Sequence, residues 1–214
     1  MDVTQSRQRE IDTLPDSGFR LVTLGTLALV DERGACDQSL ARRRRKLAVL
    51  TVLAVERRPV LRERLTEMFW GDEEESRARH SLSDALSSLR HVLGPDSIAT
   101  RQLEVALSRT CPLAVDALEL IEAAERRDHG RVVALYAGPF LDAVDVSYSP
   151  SFDRWVARVR DQLQRHWLEA CAAQCLAQLP RSRFPQGKGQ PLHAAQHPAD
   201  ADGVGSCRSY GRAA

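Results

Sequence analysis

The sequence contains no apolar run of the roughly 18 residues that a membrane-spanning helix needs. Its opening residues, MDVTQSRQREIDTLPDSG, contain no apolar core of the kind a secretory signal carries. Lysine is nearly absent: Lys46 and Lys188 are the only two, and the other 28 basic residues are arginine, a bias that a GC-rich genome imposes. No G-x-x-x-x-G-K-[ST] phosphate loop occurs, and Gly187-Lys188-Gly189 does not substitute for one. Gly203-Val204-Gly205-Ser206-Cys207 does not fit G-x-S-x-G. His193 and His197 have no acid beside them and no helical period to hold them. These gaps leave no nucleophile–base pair, no metal-ligand set and no cofactor motif, so the expectation is a protein that is not an enzyme. The 18 residues before the first apolar stretch are too few for a receiver domain. The five cysteines are scattered and odd in number, which fits reduced thiols in a cytoplasm. Cys171 and Cys175, four apart, read as two small buried residues on a helix. The net charge of +1 gives no global excess to attract nucleic acid.

What is present is organised around Glu75–Gly94. Leu82, Ala85, Leu86, Leu89, Val92 and Leu93 follow the spacing of one apolar helical stripe. The other faces carry Arg77, Arg79, His80, Ser83, Asp84, Ser87, Ser88, Arg90 and His91. Gly94-Pro95 stops the helix. A helix with one apolar face and one Arg/Ser/His face suits a major groove; it also suits an ordinary amphipathic surface helix. The surrounding charge is uneven. Residues 19–110 hold 16 Arg and Lys against 13 Asp and Glu, whereas residues 111–176 hold 7 against 10, so a mildly basic half precedes an acidic one.

Taken in order, residues 1–18 read as a flexible arm. Phe19–Leu24 and Thr26–Val30 read as strands, with Asp31-Glu32-Arg33-Gly34 as a turn. A third strand near Cys36–Leu40 would complete a small antiparallel sheet. Ala41–Arg58 reads as a helix with Leu47, Leu50, Leu53 and Ala54 on one face. Arg42, Arg43, Arg44, Arg45 and Lys46 crowd its start, the end where the dipole disfavours cations; phosphate contact is one reason for them, a solvated cluster the other. A second helix, Arg62–Phe69, turns Leu65, Met68 and Phe69 inward. Ser97–Thr100 and Leu103–Leu107 read as a hairpin joined through Arg101-Gln102. Sheet, three helices and hairpin over residues 19–110 follow the order of a winged helix. Beyond Cys111-Pro112, Val115–Arg127, Arg131–Tyr136 and Ser151–Gln178 read as helices. Ser151 is placed to cap the last of these, whose apolar face is Phe152, Trp155, Val156, Val159, Leu163, Trp167 and Ala170. Paired helices at this spacing suit a tetratricopeptide-like array. From Leu179 the period ends, and nine of the 22 Gly and Pro residues fall in the final 36 positions, so 179–214 is expected to be a disordered tail.

Four stretches carry a family resemblance: RRKLAVLTVLAVERRPVLRERLTEMFW (Arg44–Trp70), RARHSLSDALSSLRHVLG (Arg77–Gly94), VDALELIEAA (Val115–Ala124) and ALYAGPFLDAVDVSYSPSFDRWVARVRDQL (Ala134–Leu163). In this order and at these distances, residues 19–178 resemble the antibiotic regulatory protein (SARP) group of bacterial transcriptional activators. That group joins an OmpR/PhoB-type winged helix to a bacterial transcriptional activator domain (BTAD). The resemblance implies a recognition helix at Glu75–Leu93, a wing at Ser97–Leu107 and a partial BTAD over 111–178, shortened at its C-terminal side. It implies double-stranded promoter DNA with direct repeats, RNA polymerase and a second copy of the chain as partners, in the cytoplasm and away from membranes. Arg79, His80, Ser83, Ser87 and Arg90 are then the candidates for the groove. Arg42–Arg45 and Arg101 are the candidates for the phosphate backbone. Leu61 stands where the group usually has a capping Ser or Thr. A protein-interaction module, or a remnant with weak DNA binding, is the alternative function.

Overall fold

The computed structural model describes residues 18–35, 44–142 and 148–178. Strand β1 (Phe19–Val22) pairs antiparallel with β2 (Ala28–Val30), setting buried Leu21 opposite buried Leu29. The turn after β2 is held by Asp31, whose side chain accepts from the amides of Arg33 and Ala35, both at 2.9 Å. The expected third strand at Cys36–Leu40 lies outside the described residues. The sheet takes its third strand from far along the chain: β6 (Leu113–Val115) runs parallel to β1, with Phe19 opposite Leu113. The sheet is therefore mixed, and Val115 ends a strand instead of starting a helix.

Helix α1 (Arg44–Glu56) is buried on every side from Leu47 to Ala54, not along one face. It is wrapped by the elements that follow it in sequence, packing against α2, α3 and β5. Thr51 is tolerated inside because its hydroxyl donates to the Leu47 carbonyl at 2.8 Å. Val60–Leu61 forms a short strand, β3, before α2 (Arg62–Trp70). Leu61 makes no side-chain cap, and the Arg62 amide instead donates to the Leu103 carbonyl at 2.7 Å. The hairpin thus satisfies the first of the amides that the helix start leaves without an intrahelical acceptor. Helix α3 (Glu75–Leu93) buries Ala78, Leu82, Ala85, Leu86, Leu89 and Leu93 against α1 and α2. Strands β4 (Ile98–Arg101) and β5 (Glu104–Leu107) form the expected hairpin, and β3 pairs with β5 to make a second three-stranded sheet, β3-β5-β4.

Helices α4 (Asp116–Glu125), α5 (His129–Leu135) and α6 (Pro150–Gln178) complete the described chain. The buried stripe of α6 ends at Ala170, so Cys171 is half-buried and Cys175 exposed, not buried as expected. Ser149, not Ser151, caps α6: its hydroxyl accepts from the Phe152 amide at 3.2 Å, and Pro150 takes the first helical position, where a missing N–H is harmless. Asp116 ties α4 to the first sheet. Its buried carboxylate accepts from the amides of Thr23 and Leu24 and from the Thr23 hydroxyl. Leu24 also forms a β-bridge to Phe140. That approach depends on glycine, because a Cβ on Gly138 would lie 3.1 Å from the Gly25 Cα and one on Gly25 would lie 3.1 Å from the Ala137 carbonyl oxygen. Arg160 of α6 donates to the carbonyls of Phe140 and Leu141, and Arg20 of β1 pairs with Glu119 of α4 at 3.0 Å. Contacts therefore run in quantity across the expected division near residues 110–111, and one apolar core extends from Leu21 to Ala170.

Candidate nucleic-acid interface

Helix α3 presents its outer side as a row set by helical spacing: Ser76, His80, Ser83, Ser87 and His91, all exposed. The middle of the row carries hydroxyls and imidazoles, with charges at its margins. Glu74 caps the helix, its carboxylate accepting from the Ser76 amide and hydroxyl. Those bonds hold the Glu74 carboxyl below its ordinary range. Arg90 and His91 lie in the last turn, where the dipole favours cations.

The margins are bonded to neighbouring elements. On one side Lys46 of α1 reaches Asp84 at 2.6 Å and the Ser88 hydroxyl at 2.7 Å. On the other, Arg62 of α2 donates to the Ser83 hydroxyl at 3.0 Å, and Ser83 donates to the Arg79 carbonyl at 2.9 Å. Arg79 forms an i,i+4 ion pair with Glu75. Arg90 Nε donates to the Ile98 carbonyl at 3.0 Å, and a terminal nitrogen of Arg90 donates to the Thr100 hydroxyl at 2.6 Å. Arg90 therefore braces β4 against α3. The hairpin tip carries exposed Arg101, Gln102 and Leu103, with Gln102 at φ +43.

Of the basic block at the start of α1, Arg42 and Arg43 lie outside the described residues. Arg44 is exposed. Arg45 is engaged by two rings and an acid: its guanidinium lies 5.7 Å from the Trp70 centroid and 5.3 Å from that of Tyr148, and it reaches Glu73 at 3.5 Å. Burial pushes the Tyr148 hydroxyl up despite the nearby Arg45 and Arg44 charges. So α3 and the hairpin bring His80, Ser83, Ser87 and Arg101 to solvent-facing positions, with Arg79 beside them and Arg90 directed inward to β4. The reading of the sequence missed the engagement of Arg45 and Arg62, because their partners are fixed only when α1, α2 and α3 pack. Among the described residues no cluster of His, Cys, Asp and Glu could hold a metal ion, and no helix is long and apolar enough to cross a membrane.

No protein-family model matches the sequence, and no curated protein matches it. Among solved structures the chain resembles Mycobacterium tuberculosis EmbR in complex with a low-affinity phosphopeptide, with a TM-score of 0.57 and 21% identity. The match covers 76% of this chain and 46% of EmbR, so this chain spans less than half the length of that protein. At this identity the likeness establishes that the mixed α/β fold is shared with EmbR.

Proposed function

We propose that this chain is a sequence-specific DNA-binding transcriptional regulator of the SARP type. Residues 19–110 act as a winged helix in which α3 lies in the major groove and the β4–β5 hairpin is the wing. His80, Ser83 and Ser87 face base edges, and Arg79 is within reach of either a guanine or a phosphate. Arg42, Arg43, Arg44 and Arg101 neutralise backbone phosphates. The helical part, 111–178, serves self-association on direct repeats and contact with RNA polymerase. The observation that carries this reading is the outward row of α3, a hydrogen-bonding and acid-poor surface beside an exposed hairpin tip. The shared fold with EmbR supports it. Arg45 is reassigned within the proposal: held between Trp70 and Tyr148, it shapes the start of α1 and does not travel to phosphate.

The test is a mobility-shift and salt-titration series on GC-rich promoter duplexes. Arg44→Ala and Arg101→Ala should each lower affinity for all sequences alike and reduce the slope of log K against log salt by about 0.9. Unchanged slopes in both variants would remove these arginines from the interface. Absence of any salt-dependent binding by the parent chain would overturn the DNA reading. A protein-interaction module is the second reading. It is favoured by one observation: Arg45, Lys46, Arg79 and Arg90 are all engaged by groups of the chain itself.

A further inference from the structure

Helix α6 meets the α1–α3 part of the chain through two kinds of contact. One is apolar. The Phe69 ring of α2 lies 5.1 Å from Phe152 and 5.3 Å from Tyr148, and Phe152 stacks on Trp155. Such burial is strong but non-directional, and it does not by itself fix how far one helix slides along another. The other contact is polar and directional. Glu56, the last residue of α1, has a side chain 5% exposed. One of its oxygens accepts from Trp155 Nε1 at 2.8 Å and from Arg158 at 3.0 Å, both on α6. The other accepts from Arg58 Nε at 3.0 Å, while Arg64 of α2 stands 3.7 Å from the first oxygen. A carboxylate at a helix C-terminus opposes the helix dipole, so α1 alone disfavours it there. Its hydrogen-bond donors come from α6 and from the residue two beyond α1, with the Arg64 charge of α2 close by, and charge-assisted bonds of this kind set geometry.

We propose that Glu56 is a positioning residue through which α6 fixes the register of α1 and α2, and with them the outward row of α3, so that α6 tunes how well that row meets DNA. The DNA half of this inference rests on the function proposed above; the positional half does not. Disturbing Trp155 or Arg158 then weakens DNA binding without touching the reading surface. A partner that moves α6 would do the same.

The experiment uses the full chain with E56Q, R158A and R165A. Arg158 is largely exposed, so R158A remains informative if the Glu56 variant fails to fold. The indole N–H resonance of Trp155, identified by its loss in W155F, reports the link; fluorescence anisotropy on the best-bound GC-rich duplex reports affinity. In E56Q and R158A the Trp155 resonance should shift while that of Trp167, stacked on Tyr136, stays in place. Affinity should fall about five-fold or more in both. R165A, which removes an exposed α6 side chain bonded to the Asp161 carbonyl one turn back, should leave affinity unchanged. A Trp155 resonance that does not move in E56Q would overturn the link, and equal affinities in all variants would overturn its effect on DNA. If the parent chain binds no DNA, the function proposed above falls. Amide exchange in α1 and α2 then decides the positional half, faster in E56Q if α6 holds their register and unchanged if it does not.

Discussion

Arg90 gives two charge-assisted hydrogen bonds to β4, and losing them has a defined consequence. Arg90→Ala should cost about 1.5–3 kcal/mol of stability in chemical denaturation. Amide exchange in β4 and β5 should rise, and DNA affinity should fall uniformly across sequences. A loss of preference at one base position with an unchanged midpoint would instead put the guanidinium in the groove. Leu86→Ala, at a fully packed site one turn before Arg90 on α3, should cost about 2–5 kcal/mol through the cavity it leaves. Glu56 makes a pH prediction. Burial raises its carboxyl, but the bonds from Arg58 and Trp155 and the charges of Arg58 and Arg64 outweigh that, and the group sits below its ordinary value. A depressed carboxylate contributes stability above its unfolded pKa, about 4.3, and that contribution is lost as pH falls through the folded value. E56Q should therefore be less stable than the parent at neutral pH, with the difference shrinking in acid. A difference that is flat from pH 7 to pH 3 would refute the assignment.

Helix α6 shows how an element's start is chosen among near-equivalent residues. Ser149 and Ser151 lie two apart, and their hydroxyls are 3.0 Å from each other. Only Ser149 stands outside the helix with Pro150 after it, and its hydroxyl also donates to the Met68 carbonyl of α2 at 2.9 Å. Ser149→Ala should thus remove a cap and a contact between helices, costing about 0.5–2 kcal/mol, whereas Ser151→Ala should cost little. Equal midpoints for the two variants in urea would show that the cap contributes nothing. Helix α2 solves the same problem differently. Its uncapped start at Leu61 is secured by the hairpin, because the Arg62 amide finds the Leu103 carbonyl.

At the scale of the whole molecule, the first sheet joins residues 19–30 to residues 113–115, far along the chain. Strand β1 needs β6 as its parallel neighbour, and the amides of Thr23 and Leu24 need the Asp116 carboxylate. A fragment ending at residue 110 loses both, leaving buried donors without acceptors and one edge of β1 unpaired. Residues 1–178 should unfold in one cooperative transition, while 1–110 should show reduced near-ultraviolet ellipticity and bind an apolar dye. A fragment 1–110 with the midpoint of 1–178 would show that residues 111–178 add no stability to it.

The sequence alone settled what depends on local period. The apolar stripe of α3 runs from Leu82 to Leu93 as spaced, the inward face of α2 is Leu65, Met68 and Phe69, and the inward face of α6 is Phe152 to Ala170. Helical and strand periods record which side chains face inward, so those faces could be read without a partner in view. Tertiary structure decided everything that joins residues far apart in the chain. It completed the first sheet with Leu113–Val115, three residues too short to show a period of their own, whose partner Phe19–Leu21 lies more than 90 positions earlier. It buried α1 on all sides, which no single-face pattern announces. It also sorted the arginines. Arg44, Arg45, Arg62, Arg79 and Arg90 are one kind of residue in the sequence. Packing alone placed rings beside Arg45, a strand beside Arg90 and a serine beside Arg62, because a long cation takes its role from whatever the fold brings within about 3 Å of its nitrogens.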